Sequence, residues 1–129
     1  MRLATEVHTM NKHTPGPWSY WSGYNAVDKL EAQVTAEGGD IVIASYNSLI
    51  EQGEANACLM AAAPDMFAAL VSLTENAQQR VFEDWLQRVS PSGDVDSVQA
   101  QWLDSADYLE FTESWAEQLD AIDKARVKP

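Results

Sequence analysis

The residues of this chain that could do chemistry are few in kind: two histidines, one cysteine and a large excess of carboxylates. His8 and His13 lie five apart near the N-terminus, with no acidic cluster at ligand spacing around them. A metal site needs more fixed ligands than these two. Cys58 beside a histidine could make a nucleophile pair. Yet it sits in an alanine-rich stretch of helical propensity, where a small buried hydrophobe is the commoner role. Glu83-Asp84 and Asp104 with Asp107 are carboxylate pairs. General acid–base work needs such pairs in a cleft with their pKa values pushed apart, and exposed helical carboxylates do neither. Gly38-Gly39 lacks the further glycines and the lysine of a phosphate loop. The expectation is a protein with no catalytic residues, no metal and no cofactor.

The carboxylates themselves are the stronger signal. Asp94 to Asp123 holds nine of them and no lysine or arginine. Projected as one helix at about 100° per residue, Asp107, Glu110, Glu113, Glu117 and Asp120 share an arc. Tyr108, Leu109, Phe111, Trp115, Ala116, Leu119 and Ile122 fall opposite. One face should be buried and the other should carry a dense negative field. Like charges such as Glu110/Glu113 and Glu113/Glu117 cost a few tenths of a kcal/mol each on a helix. A surface that served only solubility would interleave lysines, so a partner rich in Lys and Arg is a candidate to relieve the repulsion. The candidate contact residues are Asp104, Asp107, Glu110, Glu113, Glu117 and Asp120.

Composition bounds the rest. At 129 residues and 46% hydrophobic, the chain suits a single folded domain. Net charge is −12. Residues 1–50 carry three cations against five carboxylates, and residues 51–129 carry five against fifteen. Nucleic-acid binding and anionic membranes call for the opposite sign. A lone cysteine allows no internal disulfide. No apolar run of about 18 residues is evident, and residues 1–8 have no apolar signal core. These readings place the protein in the cytosol.

The elements that must position the acidic face follow from pattern. Residues 1–12 read as a flexible arm, with Met10 as an alternative start. His13-Thr14-Pro15-Gly16-Pro17-Trp18 should lie extended and deliver Trp18 into the fold. Trp18, Tyr20, Ser22 and Tyr24 alternate with Ser19, Trp21 and Gly23, a strand pattern. Ala26–Glu31 reads as a polar connection. Ala32–Ala36 and Ile41–Tyr46 flank Glu37-Gly38-Gly39-Asp40, a hairpin signal because both glycines accept positive φ. In the second run Ile41, Ile43 and Ser45 should share one face. Glu54–Ala62 is helical in propensity, and Pro64 suits the first turn of a second helix. From there Met66, Leu70, Leu73, Ala77, Val81 and Trp85 make an apolar stripe to about Val89, with a candidate break at Thr74-Glu75. Ser90-Pro91-Ser92-Gly93 ends it. Asp96 with Gln99 resembles a capping box for the last helix, running to Lys124 or Arg126. The fold class is therefore α+β: a three-stranded antiparallel sheet over about 17–47, packed by three to four helices over about 54–126, in one domain 13–129.

Two blocks carry a resemblance. His13-Thr14-Pro15-Gly16-Pro17-Trp18 resembles the start of many small phage and prophage proteins. Asn56-Ala57-Cys58-Leu59-Met60-Ala61-Ala62-Ala63-Pro64-Asp65-Met66 resembles their second signature, with Cys58 where an arginine is usual. The resemblance covers about residues 10–73 and brings no catalytic residues with it. It implies a phage or prophage origin and the cytosol of a bacterial host. Both blocks also have a structural explanation, as a strand entry and a tight helical corner of small residues.

Size, charge and implied origin together resemble anti-CRISPR proteins and other inhibitors of host defence. The first expectation is a DNA-mimic-like protein that binds a host protein on its basic, nucleic-acid-handling surface. The alternative is a homo-oligomeric structural or assembly module, a possible homodimer, whose acidic face only confers solubility. An enzyme acting on a small molecule would need a deep polar pocket holding Cys58 or a histidine.

Overall fold

A computed structural model describes residues 13–24 and 30–127. The arm of residues 1–12, with His8 and Met10, lies outside the described residues, as do residues 25–29 and the last two positions; of the expected polar connection 26–31, Leu30 and Glu31 instead begin a strand. The fold is α+β, with strands β1 (Trp18–Tyr24), β2 (Leu30–Ala36) and β3 (Ile41–Ser45) followed by helices α1 (Gly53–Val89), α2 (Val95–Leu103), α3 (Ala106–Ser114) and α4 (Ala116–Ala125). The chain divides into two compact units, His13–Ala68 and one whose described part is residues 69–127. Helix α1 contributes to both.

In the first unit the sheet has the order β1-β2-β3, antiparallel throughout. The central strand is the buried one: Ala32, Val34, Thr35 and Ala36 are all closed to solvent. The β2–β3 turn forms because Glu37, Gly38 and Gly39 all take positive φ (52°, 66° and 104°). Glycine carries no Cβ penalty there, so the Gly38-Gly39 pair makes this turn as expected.

One register detail departs from the alternation. Val34 pairs Ala44 but Thr35 pairs Val42, so Ile43 is the extra residue of a β-bulge. A bulge shifts every later side chain by one position. Ile43, Ala44 and Tyr46 are half-buried, while Val42 and Ser45 are exposed. The expected grouping of Ser45 with Ile41 and Ile43 is therefore wrong past the bulge.

The segment before β1 packs on α1. The Trp18 indole N–H donates to the Thr14 carbonyl at 3.1 Å. His13 meets the Trp18 and Phe67 rings edge-on, at 6.4 and 5.7 Å between centroids. After β3, the Asn47 side chain accepts from the Leu49 N–H at 2.9 Å, closing a turn. Gly53 opens α1 where a Cβ would lie 2.0 Å from the Asn47 carbonyl oxygen, so only glycine fits.

Pro64 does not begin a second helix: α1 is one 37-residue helix with Pro64 inside it. Proline in a helix interior removes one hydrogen bond and crowds the carbonyl four residues back. Here strong helix formers, Ala57 to Ala63 before it and Ala68-Ala69 after it, carry the helix past the defect. Thr74 does not break it either. Its buried hydroxyl donates to the Leu70 carbonyl at 2.7 Å, which satisfies the group within the helix.

In the second unit the buried side chains of α1 are Val71, Thr74, Phe82 and Trp85. Leu73, counted toward the buried stripe, is exposed, and so is Met66 in the first unit. The helix has apolar residues on two faces, and the one that packs is rotated from the stripe read in the sequence. Phe82, Trp85 and Trp102 form the core, with Val81, Leu86, Val98 and Tyr108 against it. Their rings meet at angles, Phe82 to Trp102 at 5.2 Å and Trp102 to Tyr108 at 5.4 Å, geometries aromatic rings favour. Phe111 of α3 and Ile122 of α4 are also buried.

Candidate interaction surface

The acidic stretch is three short helices, not one. Asp94 caps α2 by accepting from the Ser97 N–H at 2.9 Å, so the cap is Asp94 and not Asp96. Gly93, at φ 112°, turns the chain so that Asp94 reaches the helix start. The first break lies at Asp104-Ser105. The Ser105 hydroxyl donates to the Trp102 carbonyl at 2.6 Å and accepts from the Tyr108 N–H at 3.1 Å. One side chain thus closes α2 and opens α3. The second break is at Trp115, whose backbone leaves the helical region and whose ring stacks on Phe111 at 6.0 Å.

The breaks have an electrostatic consequence. Each new helix N-terminus has a carboxylate in its first turn: Asp96 in α2, Asp107 in α3 and Glu117 in α4. The partial positive charge there stabilises them. A single long helix would leave the last two in its interior. Asp107 gains further from Arg88, which bonds it and also donates to Asp84 at 2.8 Å. Those two carboxylates, Asp84 first, hold the Arg88 guanidinium above its ordinary range. The repulsion expected among these carboxylates is thus partly offset inside the fold.

The six candidate contact residues are therefore spread over three helices. Asp104 is exposed at the C-terminal cap of α2. Asp107, Glu110 and Glu113 lie three apart along α3. Glu110 and Glu113 are exposed and Asp107 is half-buried against Arg88. Glu117 and Asp120 are exposed on α4. Asp107 and Glu110 flank a shallow hollow with Phe111 and Trp115. Asp120 borders a separate hollow of about 230 Å³, where it meets Glu75, Asp123 and Arg126. Arg126 was expected only to mark the helix end, but its Nε and Nη2 are buried with no hydrogen-bond partner among the described residues. Nothing in the spacing of the sequence points to that hollow.

The other candidates for chemistry, Cys58 and His13, belong to the first unit. Cys58 is exposed, not a buried hydrophobe. It lies beside Tyr20, and hydrogen bonding and charge interaction with its thiol raise the Tyr20 phenol above its ordinary value of 10.0. His13 is a packing ring between Trp18 and Phe67. Among the described residues, no three His, Cys, Asp or Glu side chains converge as metal ligands would.

Residues 8–128 match the family described as Salmonella phage P22 protein Y8K6. The chain belongs to that phage protein family. The match takes in the acidic helices as well as the two N-terminal blocks. No curated protein and no solved structure matches the chain.

Proposed function

We propose that this phage-family protein acts without catalysis, by binding a host protein on its basic, nucleic-acid-handling surface. The binding face is the acidic side of α2, α3 and α4. The observation that carries the reading is that Asp104, Glu110, Glu113, Glu117 and Asp120 are all exposed, with no Lys or Arg between Asp94 and Asp123. A basic surface exposed to this field is steered toward it over a Debye length of about 10 Å at moderate salt. The carboxylates would stand in for phosphates and exclude DNA or RNA from the host protein. Such a DNA mimic would inhibit a defence system in the manner of an anti-CRISPR protein. Its place of action is the bacterial cytosol.

Asp107 has a different part in this reading. Its pairing with Arg88 makes it a support for α3, and the contact charge rests on its exposed neighbours. Replacing Glu110, Glu113 and Glu117 together by lysine should abolish capture of the host protein while leaving the helices intact. Equal capture by that variant would remove the acidic face from the account.

A further inference from the structure

Helix α1 has a second apolar face, open to solvent. Leu59, Met66 and Leu73 are 63%, 47% and 57% exposed. Ala63 and Ala69 are exposed between them. The charged residues between Ala55 and Asn76 are Asp65 and Glu75. An 18-residue window of this helix is apolar enough, by length and composition, to cross a membrane, and 22% of that window is buried. This corrects the expectation that no such run exists. Single exposed leucines are ordinary, but a continuous apolar strip is a contact surface.

We propose that this strip joins two copies of the chain, α1 against α1 and antiparallel, with the two-fold axis at Met66. The proposal does not depend on the acidic face. A two-fold contact requires a surface complementary to itself. Leu59, Ala63, Met66, Ala69 and Leu73 are spaced four, three, three and four, the same from either end. Turned about Met66, Leu59 of one copy meets Leu73 of the other, and Ala63 meets Ala69. The small alanines let the helix backbones approach. Leu59, Met66 and Leu73 recur every seven residues, the period of a helix-on-helix seam.

Charge selects both the occupant and the direction. Arg80 lies seven residues beyond Leu73, is exposed and makes no ion pair with the described residues. The antiparallel arrangement brings it to the start of α1 in the second copy, where Glu54 is exposed in the first turn and Glu51 is exposed in the turn just before it. Symmetry makes that contact twice. A parallel pair would instead stack Arg80 on Arg80, a like-charge contact that opposes it. A bilayer gains no such pairing, and anionic lipid would repel a chain of net charge −12.

Light scattering on the full chain at high micromolar concentration should give twice the monomer mass of 14.3 kDa. Leu59→Glu with Leu73→Glu should weaken the dimer by about 100-fold or more, with helix content unchanged because both positions are exposed. Arg80→Glu should weaken it as well, and adding Glu51→Arg and Glu54→Arg should restore it. In a Cys58→Ser background, Met66→Cys should crosslink readily between copies. The native Cys58 should not, since antiparallel helices hold the two copies about 24 Å apart there. A monomeric full chain overturns the proposal, as does a dimer indifferent to the leucine changes. Faster crosslinking through Cys58 would show a parallel pair. A monomer that floats with neutral lipid vesicles through Leu59 and Leu73 would show a bilayer as the occupant.

Discussion

Gly16 packs directly on Pro64: a Cβ at Gly16 would lie 3.1 Å from the Pro64 Cβ. These residues come from the two sequence blocks that resemble other phage proteins, and His13 and Phe67 repeat the contact nearby at 5.7 Å. The blocks thus meet in space, one as the entry to β1 and the other as a proline-bearing turn of α1. Proline exposes no N–H there, and glycine presents no side chain, so backbone and ring can touch. Gly16→Ala should cost about 1–3 kcal/mol in urea unfolding, the usual range for overpacking. A neutral or stabilising result would mean that Gly16 serves only as a pliant turn residue.

Ser105 closes α2 and opens α3 with one hydroxyl. Ser105→Ala removes both bonds and should lower stability by about 1 kcal/mol, the usual cost of a lost N-cap. Ser105→Asp keeps the acceptor for the Tyr108 N–H and should recover part of the loss. Equal stability of all three proteins in thermal unfolding would show that the cap contributes nothing.

Trp102 is fully buried between Phe82, Trp85 and Tyr108, and its indole N–H has no partner among the described residues. Trp102→Ala should cost about 3–5 kcal/mol through the lost burial and the cavity left behind. Trp102→Phe should cost markedly less, because it also removes the unsatisfied donor. Denaturant midpoints at constant m-value measure both. A phenylalanine variant as damaged as the alanine one would contradict the packing described.

Tyr20 predicts the sign of a pH effect. Its folded-state pKa is raised, chiefly by hydrogen bonding with Cys58, above the ordinary 10.0. Between the two values the unfolded chain loses the proton while the folded chain keeps it. The stabilisation is therefore complete below about pH 10 and falls as pH rises through the folded-state value. Tyr20→Phe should flatten that alkaline decline in an unfolding series. An identical slope in both proteins would remove Tyr20 as its source.

Much of the fold was legible because the relevant signals are local. The aromatic alternation from Trp18 located β1. Gly38-Gly39 marked the turn, since few other residues take positive φ. Ser90-Pro91-Ser92-Gly93 marked the end of α1. What misled was information that no single window contains. The extra residue at Ile43 is visible only against the pairing of β2. Pro64 is a common first-turn residue, and only the surrounding alanines say that the helix continues. The angular projection of residues 94–123 assumed one axis, and Ser105 and Trp115 each reset it. The reset can be argued afterwards from Ser105 ahead of Asp107, a cap followed by a first-turn acid. Trp115 carried no comparable sign. The exposed candidates Glu110, Glu113 and Glu117 were legible as charge, whereas the pairing of Asp107 with Arg88 required the fold.

The central claim is that exposed carboxylates of α3 and α4 hold a basic host protein. The most direct test is a pull-down from lysate of the bacterial host, comparing the tagged chain with its Glu110→Lys, Glu113→Lys, Glu117→Lys variant. Both are washed first at low and then at high salt. The account predicts a nucleic-acid-processing protein retained by the native chain at low salt, released at high salt and absent from the variant. Recovery of the same proteins by both chains, or of none beyond the chain itself, would contradict it.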